Sequence, residues 1–221
     1  MGSHGARTGG GVLHWARAYD LLVWVLTRGK ERQFRQQLLD LARLRPGESV
    51  LDVGCGTGTL AIAAKALVGP SGQVCGVDPS PEMVRRARRK AAKAGAEVSF
   101  ENAGVEALPF PDATFHAVLG TLMLHHVSED ARDRGLTEIA RVLRPGGRFL
   151  AVDLGGGTHG KSHGLFLFLP IRRHAEFDLR ELAPNLEDAG LDVVEQGPVE
   201  GPRIPGLRNL RFAVAARRAA A

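Results

Sequence analysis

The chain has few of the residues that build cysteine-based sites, and no apolar run long enough to cross a membrane. It contains two cysteines in 221 residues and no C-x-x-C pair, which excludes a zinc site of clustered cysteines. Cys55 and Cys75 lie in expected strand-turn segments, so reduced thiols of a cytoplasmic protein are expected rather than a disulfide. The longest apolar run, residues 21–26, is far short of the ~20 residues of a membrane span, and no signal peptide is expected.

The remaining composition is that of an ordinary globular domain. Charged residues make up 24% and hydrophobic residues 44% of the chain. The formal net charge of +5 permits contact with nucleic acid without requiring it. Residues 1–10 resemble a cloning tag and are set aside. We expect residues 11–45 to form an N-terminal helical cap and residues 46–221 to form the main domain.

Short apolar segments alternate with helical segments through the main domain. This alternation predicts an α/β fold, in which a mostly parallel sheet carries helices on both faces. Ser80 and Pro81 mark a helix start. The expected strands cover residues 50–53, 73–77, 98–100, 117–120, 149–152, 191–194 and 210–215; the expected helices cover 12–27, 31–44, 60–68, 81–94, 129–143 and a segment ending near Ala189.

A glycine-rich turn follows the first expected strand. Asp52 precedes glycines at 54, 56 and 58, and Thr59 stands where a dinucleotide-binding turn would carry its third glycine. Asp52 would also repel a pyrophosphate, so a cationic ligand fits the turn better. Asp78 ends the second strand, where a carboxylate can accept hydrogen bonds from both hydroxyls of a ribose.

Together with four further segments, this turn resembles the class I S-adenosylmethionine-dependent methyltransferases, in their UbiE-like branch. The matching segments are residues 50–58, 76–80, 106–110, 124–127 and 141–147. The resemblance implies a Rossmann-like seven-stranded sheet, mostly parallel with the last strand antiparallel, and S-adenosylmethionine as cofactor. It assigns the cofactor site to Asp52, Gly54, Cys55, Gly56, Gly58, Asp78, Pro79, Met83, Gly104, Val105, Thr121 and Tyr19, with the first helix folding over the ligand.

One cofactor position departs from the family pattern. The family usually carries an aspartate that accepts a hydrogen bond from the adenine amino group, and this chain has Gly104 there. Backbone groups, Asn102 or Glu106 are the candidate replacements.

Three side chains at the carboxyl ends of the strands are candidate catalytic groups. His125 and His126 follow the fourth strand and Asp153 follows the fifth, on the edge where ligands bind in open α/β sheets. A histidine there can take a proton from a hydroxyl acceptor, although it could equally anchor the loop. Asp153 could equally cap the loop that follows it.

The expected reaction is methyl transfer to a small apolar or aromatic molecule, without a metal. Oxygen is the favoured acceptor atom, and carbon, nitrogen or sulfur remain open. Two alternatives are an RNA-modifying methyltransferase and a non-catalytic protein that binds S-adenosylmethionine. Residues 121–124 lack the motif that grips a flipped base, which makes nucleic acid an unfavoured partner. A monomer or a homodimer is expected.

Overall fold

The computed structural model describes residues 31–155, 177–200 and 209–219, and the following elements lie within them. The helix expected over residues 12–27, which includes Tyr19, lies outside these ranges. The helices are α1 (Glu31–Ala42), α2 (Thr59–Val68), α3 (Pro81–Ala94), α4 (Glu129–Val142) and α5 (Ala183–Asp188), with 3-10 turns at Leu124–His126 and Leu179–Glu181. The strands are β1 (Ser49–Val53), β2 (Gln73–Val77), β3 (Ser99–Glu101), β4 (Phe115–Thr121), β5 (Leu143–Leu154), β6 (Leu191–Pro198) and β7 (Leu210–Arg217).

The seven strands form one sheet in the order β3-β2-β1-β4-β5-β7-β6. Every pairing from β3 to β5 is parallel. Strand β7 is antiparallel to both of its neighbours, β5 and β6. The expected Rossmann-like sheet with an antiparallel last strand is therefore confirmed, and that strand lies between β5 and β6.

Helices cover both faces of the sheet, as the alternation predicts. One face packs against α1, α2 and α3 through buried residues such as Leu38, Ala61 and Ala87. The other packs against α4 and α5 through Leu136, Ile139 and Leu186. Because both faces are buried, the loops at the carboxyl ends of the parallel strands are left as the place for a ligand.

Helix α3 begins and ends where its sequence predicts. The Ser80 hydroxyl accepts a hydrogen bond from the Met83 amide, and Pro81 takes the first helical position, where a missing N–H costs nothing. Gly95 ends the helix with a left-handed backbone. Val84, Ala87 and Ala91 are buried on one face of the helix, and Ala94 in its last turn is exposed.

Several element boundaries differ from the sequence-based prediction, and two of the differences have a clear backbone cause. Helix α1 ends at Ala42 rather than at residue 44, because Arg43 adopts a left-handed backbone with φ of 49°. Strand β5 begins at Leu143 instead of 149, because the Leu143 backbone is already extended and pairs with Phe115 before the register shifts. No helix in the described ranges is long and apolar enough to cross a membrane.

Arg148, in the middle of β5, connects the end of α1 to the sheet. Its guanidinium donates to the carbonyls of Ala42 and Arg43 at the end of α1, at 2.6 and 2.8 Å. It also makes two bonds to the Glu48 carboxylate, at 2.6 and 3.0 Å. Burial raises the pKa of Glu48, but the bonds from Arg148 and from the Arg45 amide outweigh it, so the pKa lies below its ordinary value.

Candidate cofactor and acceptor site

Two buried acids and the glycine-rich turn meet at the carboxyl ends of β1 and β2. Asp52 is the last residue but one of β1 and pairs with Gly76 of β2, and Asp78 directly follows β2. The turn over residues 54–58 leads into α2, whose first helical residue is Thr59. The acids and the glycines that the sequence singled out are therefore brought together at one edge of the sheet.

Asp52 is a buried carboxylate with an unused acceptor. Its side chain is 1% exposed, and its Oδ2 atom has no hydrogen-bond partner among the described residues. Burial raises its pKa to about 7, the Ala61 amide lowers it by donating a hydrogen bond, and the charge of Asp78 raises it again. A buried carboxylate in this state gains most from a cationic ligand, because the ligand would supply the missing partner and the opposite charge.

Asp78 is held rigidly by the backbone around it. Its Oδ2 accepts from the Gly56 amide at 2.9 Å and its Oδ1 accepts from the Ser80 amide at 2.8 Å. Burial raises its pKa, and these two N–H groups oppose the rise. Each carboxylate oxygen has a further lone pair, so the fixed carboxylate can still accept from two hydroxyls.

Two glycines of the turn are required by packing inside the protein. A Cβ atom at Gly54 would lie 2.7 Å from the Cβ of Met123, and one at Gly58 would lie 2.7 Å from the Phe100 ring and 2.8 Å from the Ala87 side chain. Both glycines also have positive φ, of 68° and 75°. The absence of side chains at these positions is therefore explained before any ligand is considered.

The loop after β3 lies beside the Asp78 loop. The Asn102 side-chain amide donates to the Asp78 carbonyl at 2.8 Å. Val105 is 4% exposed, and its side chain packs against α4, where a Cβ at Gly135 would lie 2.7 Å from it. Of the two positions that the resemblance assigns to the cofactor in this loop, Val105 therefore has only its backbone available, and Gly104 has no side chain.

Helix α4 fixes the far end of the same loop. The Glu138 carboxylate accepts from the Leu108 amide at 2.8 Å, and the Arg141 guanidinium donates to the carbonyls of Leu108 and Phe110. Arg141 also pairs with Glu138 and Asp112, both at 2.7 Å. These bonds give residues 106–112 one defined path, a role for Glu138 and Arg141 that the sequence did not reveal.

The end of β4 is strained where it turns into the next loop. Thr121 is the last residue of the strand, and Leu122 has a positive φ of 54° while its amide donates to the Val152 carbonyl at 2.7 Å. The turn places Met123 over Gly54, so the loop after β4 contacts the turn after β1. Thr121, which the resemblance assigns to the cofactor site, therefore lies at the carboxyl end of β4, next to the turn after β1.

His125 and Asp153 form a hydrogen-bonded pair at the ends of β4 and β5. The His125 Nδ1 atom lies 2.6 Å from Oδ1 of Asp153, whose side chain is fully buried. Asp153 also accepts from the backbone amides of Leu124, His125 and Leu154, at 2.9, 3.3 and 2.8 Å. Four donors on a carboxylate fix its position, and a proton on Nδ1 leaves Nε2 of His125 as the basic ring nitrogen.

His126 occupies a different environment from its neighbour. Its side chain is exposed, and its ring lies 3.9 Å from the His125 ring, centroid to centroid, with the planes inclined by 43°. The structure thus separates the two candidate bases: His125 is the one oriented by a buried carboxylate. Sequence spacing could not distinguish them.

The other expected site residues lie as follows. Cys55 is buried in the turn, and burial raises the pKa of its thiol, as do the charges of Asp52 and Asp78. Pro79 is exposed beside Asp78, and Met83 is buried under the start of α3. Tyr19 lies outside the described residues. The described part holds no group of three metal-ligating side chains.

Comparison with known sequences points to one family. Residues 50–147 match a family model described as a methyltransferase domain. The ubiquinone/menaquinone biosynthesis C-methyltransferase UbiE of Pasteurella multocida is 38% identical over 140 residues, covering 62% of this chain and 52% of that protein. The demethylmenaquinone methyltransferase of Thermus thermophilus is 38% identical over 138 residues, covering 62% of this chain and 61% of the relative. The chain thus spans between half and two thirds of these relatives.

Solved structures share the fold. A SAM-dependent methyltransferase from Aquifex aeolicus superposes with a TM-score of 0.71 at 24% identity, covering 89% of this chain and 97% of that one. The [4+2]-cyclase SpnF superposes with a TM-score of 0.70 at 22% identity, covering 86% and 82%. Because a cyclase has this fold too, the architecture alone does not define the reaction. The sequence comparisons narrow this down: residues 50–147 match the methyltransferase-domain model, and the chain is similar to class I S-adenosylmethionine-dependent methyltransferases of the UbiE-like branch.

Proposed function

We propose that this chain transfers a methyl group from S-adenosylmethionine to a ring carbon of a small hydroquinone-like acceptor. The observation that carries the cofactor half of the proposal is the buried Asp52 carboxylate, whose Oδ2 atom has no hydrogen-bond partner in the part of the chain that the structure describes. A ligand with a positive charge near this atom satisfies it, and a phosphate does not. The donor, when bound, presents a methyl group on a positively charged sulfur.

Asp52, Asp78 and Gly56 have separate parts in holding the donor. Asp52 faces the amino-acid end with its charge, and Asp78 accepts from the ribose hydroxyls. The Gly56 amide fixes Asp78 in place by donating to it, so the ribose acceptor is oriented before the ligand arrives. Thr121 at the end of β4 borders the reacting centre. Preorganisation of this kind can supply much of the acceleration of a displacement reaction.

His125 is the proposed general base and Asp153 its positioning residue. The Asp153 carboxylate holds a proton on Nδ1, which leaves the Nε2 lone pair to take the proton of an acceptor hydroxyl. Electron density from the resulting phenolate oxygen would reach the neighbouring ring carbon, which would bond to the methyl group as the methyl–sulfur bond breaks and neutral S-adenosylhomocysteine is left. That carbon then releases its own proton to a base, which restores the aromatic ring. His126 stays a candidate for this second proton.

The acceptor atom is where the comparisons change the sequence-based expectation. Oxygen was favoured, but nothing in the comparisons supports that preference. The similar proteins are named as a C-methyltransferase of ubiquinone and menaquinone biosynthesis and as a demethylmenaquinone methyltransferase. Since the chain covers only part of the length of these relatives, carbon as the acceptor atom for this chain is a proposal. We also propose a small molecule, and not nucleic acid, as partner.

The test is a methyl-transfer assay with the full chain, labelled cofactor and an acceptor panel. The panel contains demethylated naphthohydroquinones, matched naphthols with one hydroxyl, and an RNA transcript. The proposal predicts label on the reduced quinones, with the new methyl group on carbon by NMR. Label only on oxygen would overturn the carbon assignment. Label on RNA alone, or cofactor binding with no transfer to any reduced quinone, would overturn the acceptor class.

A further inference from the structure

The carboxylate of Glu106 occupies the space that a side chain at residue 104 would take. A Cβ atom built on Gly104 would lie 2.4 Å from Oε2 and 2.6 Å from Oε1 of Glu106. The Gly104 backbone has no positive φ, so its conformation would accept any residue. The glycine therefore provides room, and the group that uses the room is an acid two residues further along the chain.

This placement is fixed by the turn around it. The Ala107 amide donates to the Gly104 carbonyl at 3.3 Å, which folds residues 104–107 back on themselves. Val105 anchors the turn in the core against Gly135 of α4. The Glu138 carboxylate holds the Leu108 amide immediately after it. Glu106 therefore lies on a turn that Val105 holds on one side and Glu138 on the other, so only its own side-chain torsions decide where its carboxylate lies.

The same turn lies beside the proposed ribose acceptor. Asn102 bonds to the Asp78 carbonyl, and β3 pairs directly with β2, so the loop after β3 is the next loop along the edge from Asp78. A base attached to a ribose held at Asp78 extends past the end of one strand and meets the loop of the next. Within the described ranges the Glu106 carboxylate makes no hydrogen bond and no ion pair, so its acceptor oxygens are available to a ligand.

We propose that the Glu106 carboxylate accepts a hydrogen bond from the amino group of the cofactor's adenine ring, in place of the acid absent at Gly104. The proposal rests on the proposed function, since it names a contact to the same cofactor. It makes Glu106 a specificity-determining residue, because a carboxylate only accepts hydrogen bonds. It attracts the amino group of adenine and repels the carbonyl oxygen that hypoxanthine has at that position.

The test is calorimetric titration of the full chain with S-adenosylhomocysteine and with S-inosylhomocysteine, in which a carbonyl replaces the amino group. Glu106→Ala is expected to weaken binding of the adenine ligand by roughly 5- to 30-fold, the range for losing a partly solvated, charged hydrogen bond. Binding of the inosine ligand should stay within about twofold or improve. The preference for adenine therefore shrinks in the variant.

Two further variants keep the result interpretable. Glu97→Ala removes the same charge just before the amino end of β3, away from the carboxyl ends of the strands, and should leave both affinities unchanged. Gly104→Asp combined with Glu106→Ala should restore the preference for adenine. Equal loss of both ligands in Glu106→Ala, or no loss of either, overturns the assignment of Glu106. A wild-type protein that binds neither ligand overturns the proposed function instead, so the two failures are distinguishable.

Discussion

Substitution of Asp153 by asparagine tests the proposed base more sharply than removal of a histidine. The carboxylate accepts from four donors: Leu124 N and His125 N on Oδ2, and His125 Nδ1 and Leu154 N on Oδ1. An amide keeps the shape but has one oxygen. If its NH2 group takes the Oδ2 position, two backbone donors lose their acceptor. If it takes the Oδ1 position, the Leu154 amide loses its acceptor and His125 must accept at Nδ1.

Both orientations have a cost that can be measured. At least one buried N–H is left without a partner, which should lower the free energy of unfolding by about 1–3 kcal/mol. In the second orientation the proton of His125 moves to Nε2, so the ring can no longer act as a base there, and kcat should fall by roughly 100-fold or more. The cofactor site is separate, so the affinity for S-adenosylhomocysteine should stay within about threefold.

Urea denaturation, single-turnover methyl transfer and calorimetry measure the three quantities. Asp112→Asn is the matched control, because Asp112 is an acid with an exposed side chain whose arginine partner has other acceptors, and its loss should cost less than about 1 kcal/mol. The first orientation keeps the proton on Nδ1, so a kcat for Asp153→Asn close to that of the wild type contradicts the positioning role of Asp153 only when His125→Ala also leaves kcat unchanged. That pair of results would refute the base role of His125.

Three further predictions address other parts of the structure. His125→Ala should lower kcat by roughly 100-fold. His126→Ala should lower kcat more than it weakens cofactor binding, but less than His125→Ala does, because the buried Asp153 carboxylate orients His125. Equal kcat for His126→Ala and wild type would remove His126 from the chemistry. Arg148→Met should lower the free energy of unfolding in urea by about 2–4 kcal/mol, since it leaves Glu48 without its partner and two carbonyls at the end of α1 without a hydrogen bond. Arg43→Ala, which removes an exposed ion pair with Glu195, should lower it by less than about 1 kcal/mol. Equal effects of the two substitutions would contradict the role of Arg148 in holding α1 against the sheet. Asp52 has a raised pKa in the folded chain, so it stays protonated between about pH 4 and 7 while the same side chain ionises in the unfolded chain; its contribution to stability is present at low pH and lost as the pH rises to about 7. Denaturation at several pH values should therefore show that the free energy of unfolding of Asp52→Asn rises relative to that of the wild type across this range. A difference between the two proteins that does not change with pH would contradict the raised pKa.

Local signals in the sequence were sufficient for most of the fold. Ser80, Pro81 and Gly95 mark the two ends of α3, because a cap, a fixed φ and a left-handed residue act within one helical turn. The buried strands follow from short apolar runs, and the last strand's direction follows from the resemblance. The end of α1 was missed because Arg43, not a glycine, takes the positive φ there, and its carbonyl is held by Arg148 more than a hundred positions away in sequence.

The candidate site was predictable as a set of residues but not as an arrangement. Asp52 and Asp78 follow from strand ends, because parallel strands bring their carboxyl ends to one edge. The pairing of His125 with Asp153 links two strands across 28 positions, and only the fold decides which of two adjacent histidines meets the acid. Glu106 lies in the space beside Gly104 because of a turn, and no spacing rule connects a missing side chain with the residue that replaces it.

Titration of the full chain with S-adenosylmethionine, and separately with NAD⁺, measures whether the site around Asp52 selects a cationic donor. We expect saturable binding of the sulfonium donor and no heat with the dinucleotide, because Asp52 favours positive charge and opposes a pyrophosphate. We also expect that Asp78→Ala weakens the donor by about 1–3 kcal/mol, the value of a charged hydrogen-bonding group. Binding of NAD⁺ in preference to the donor, or donor affinity unchanged by Asp78→Ala, would contradict the account.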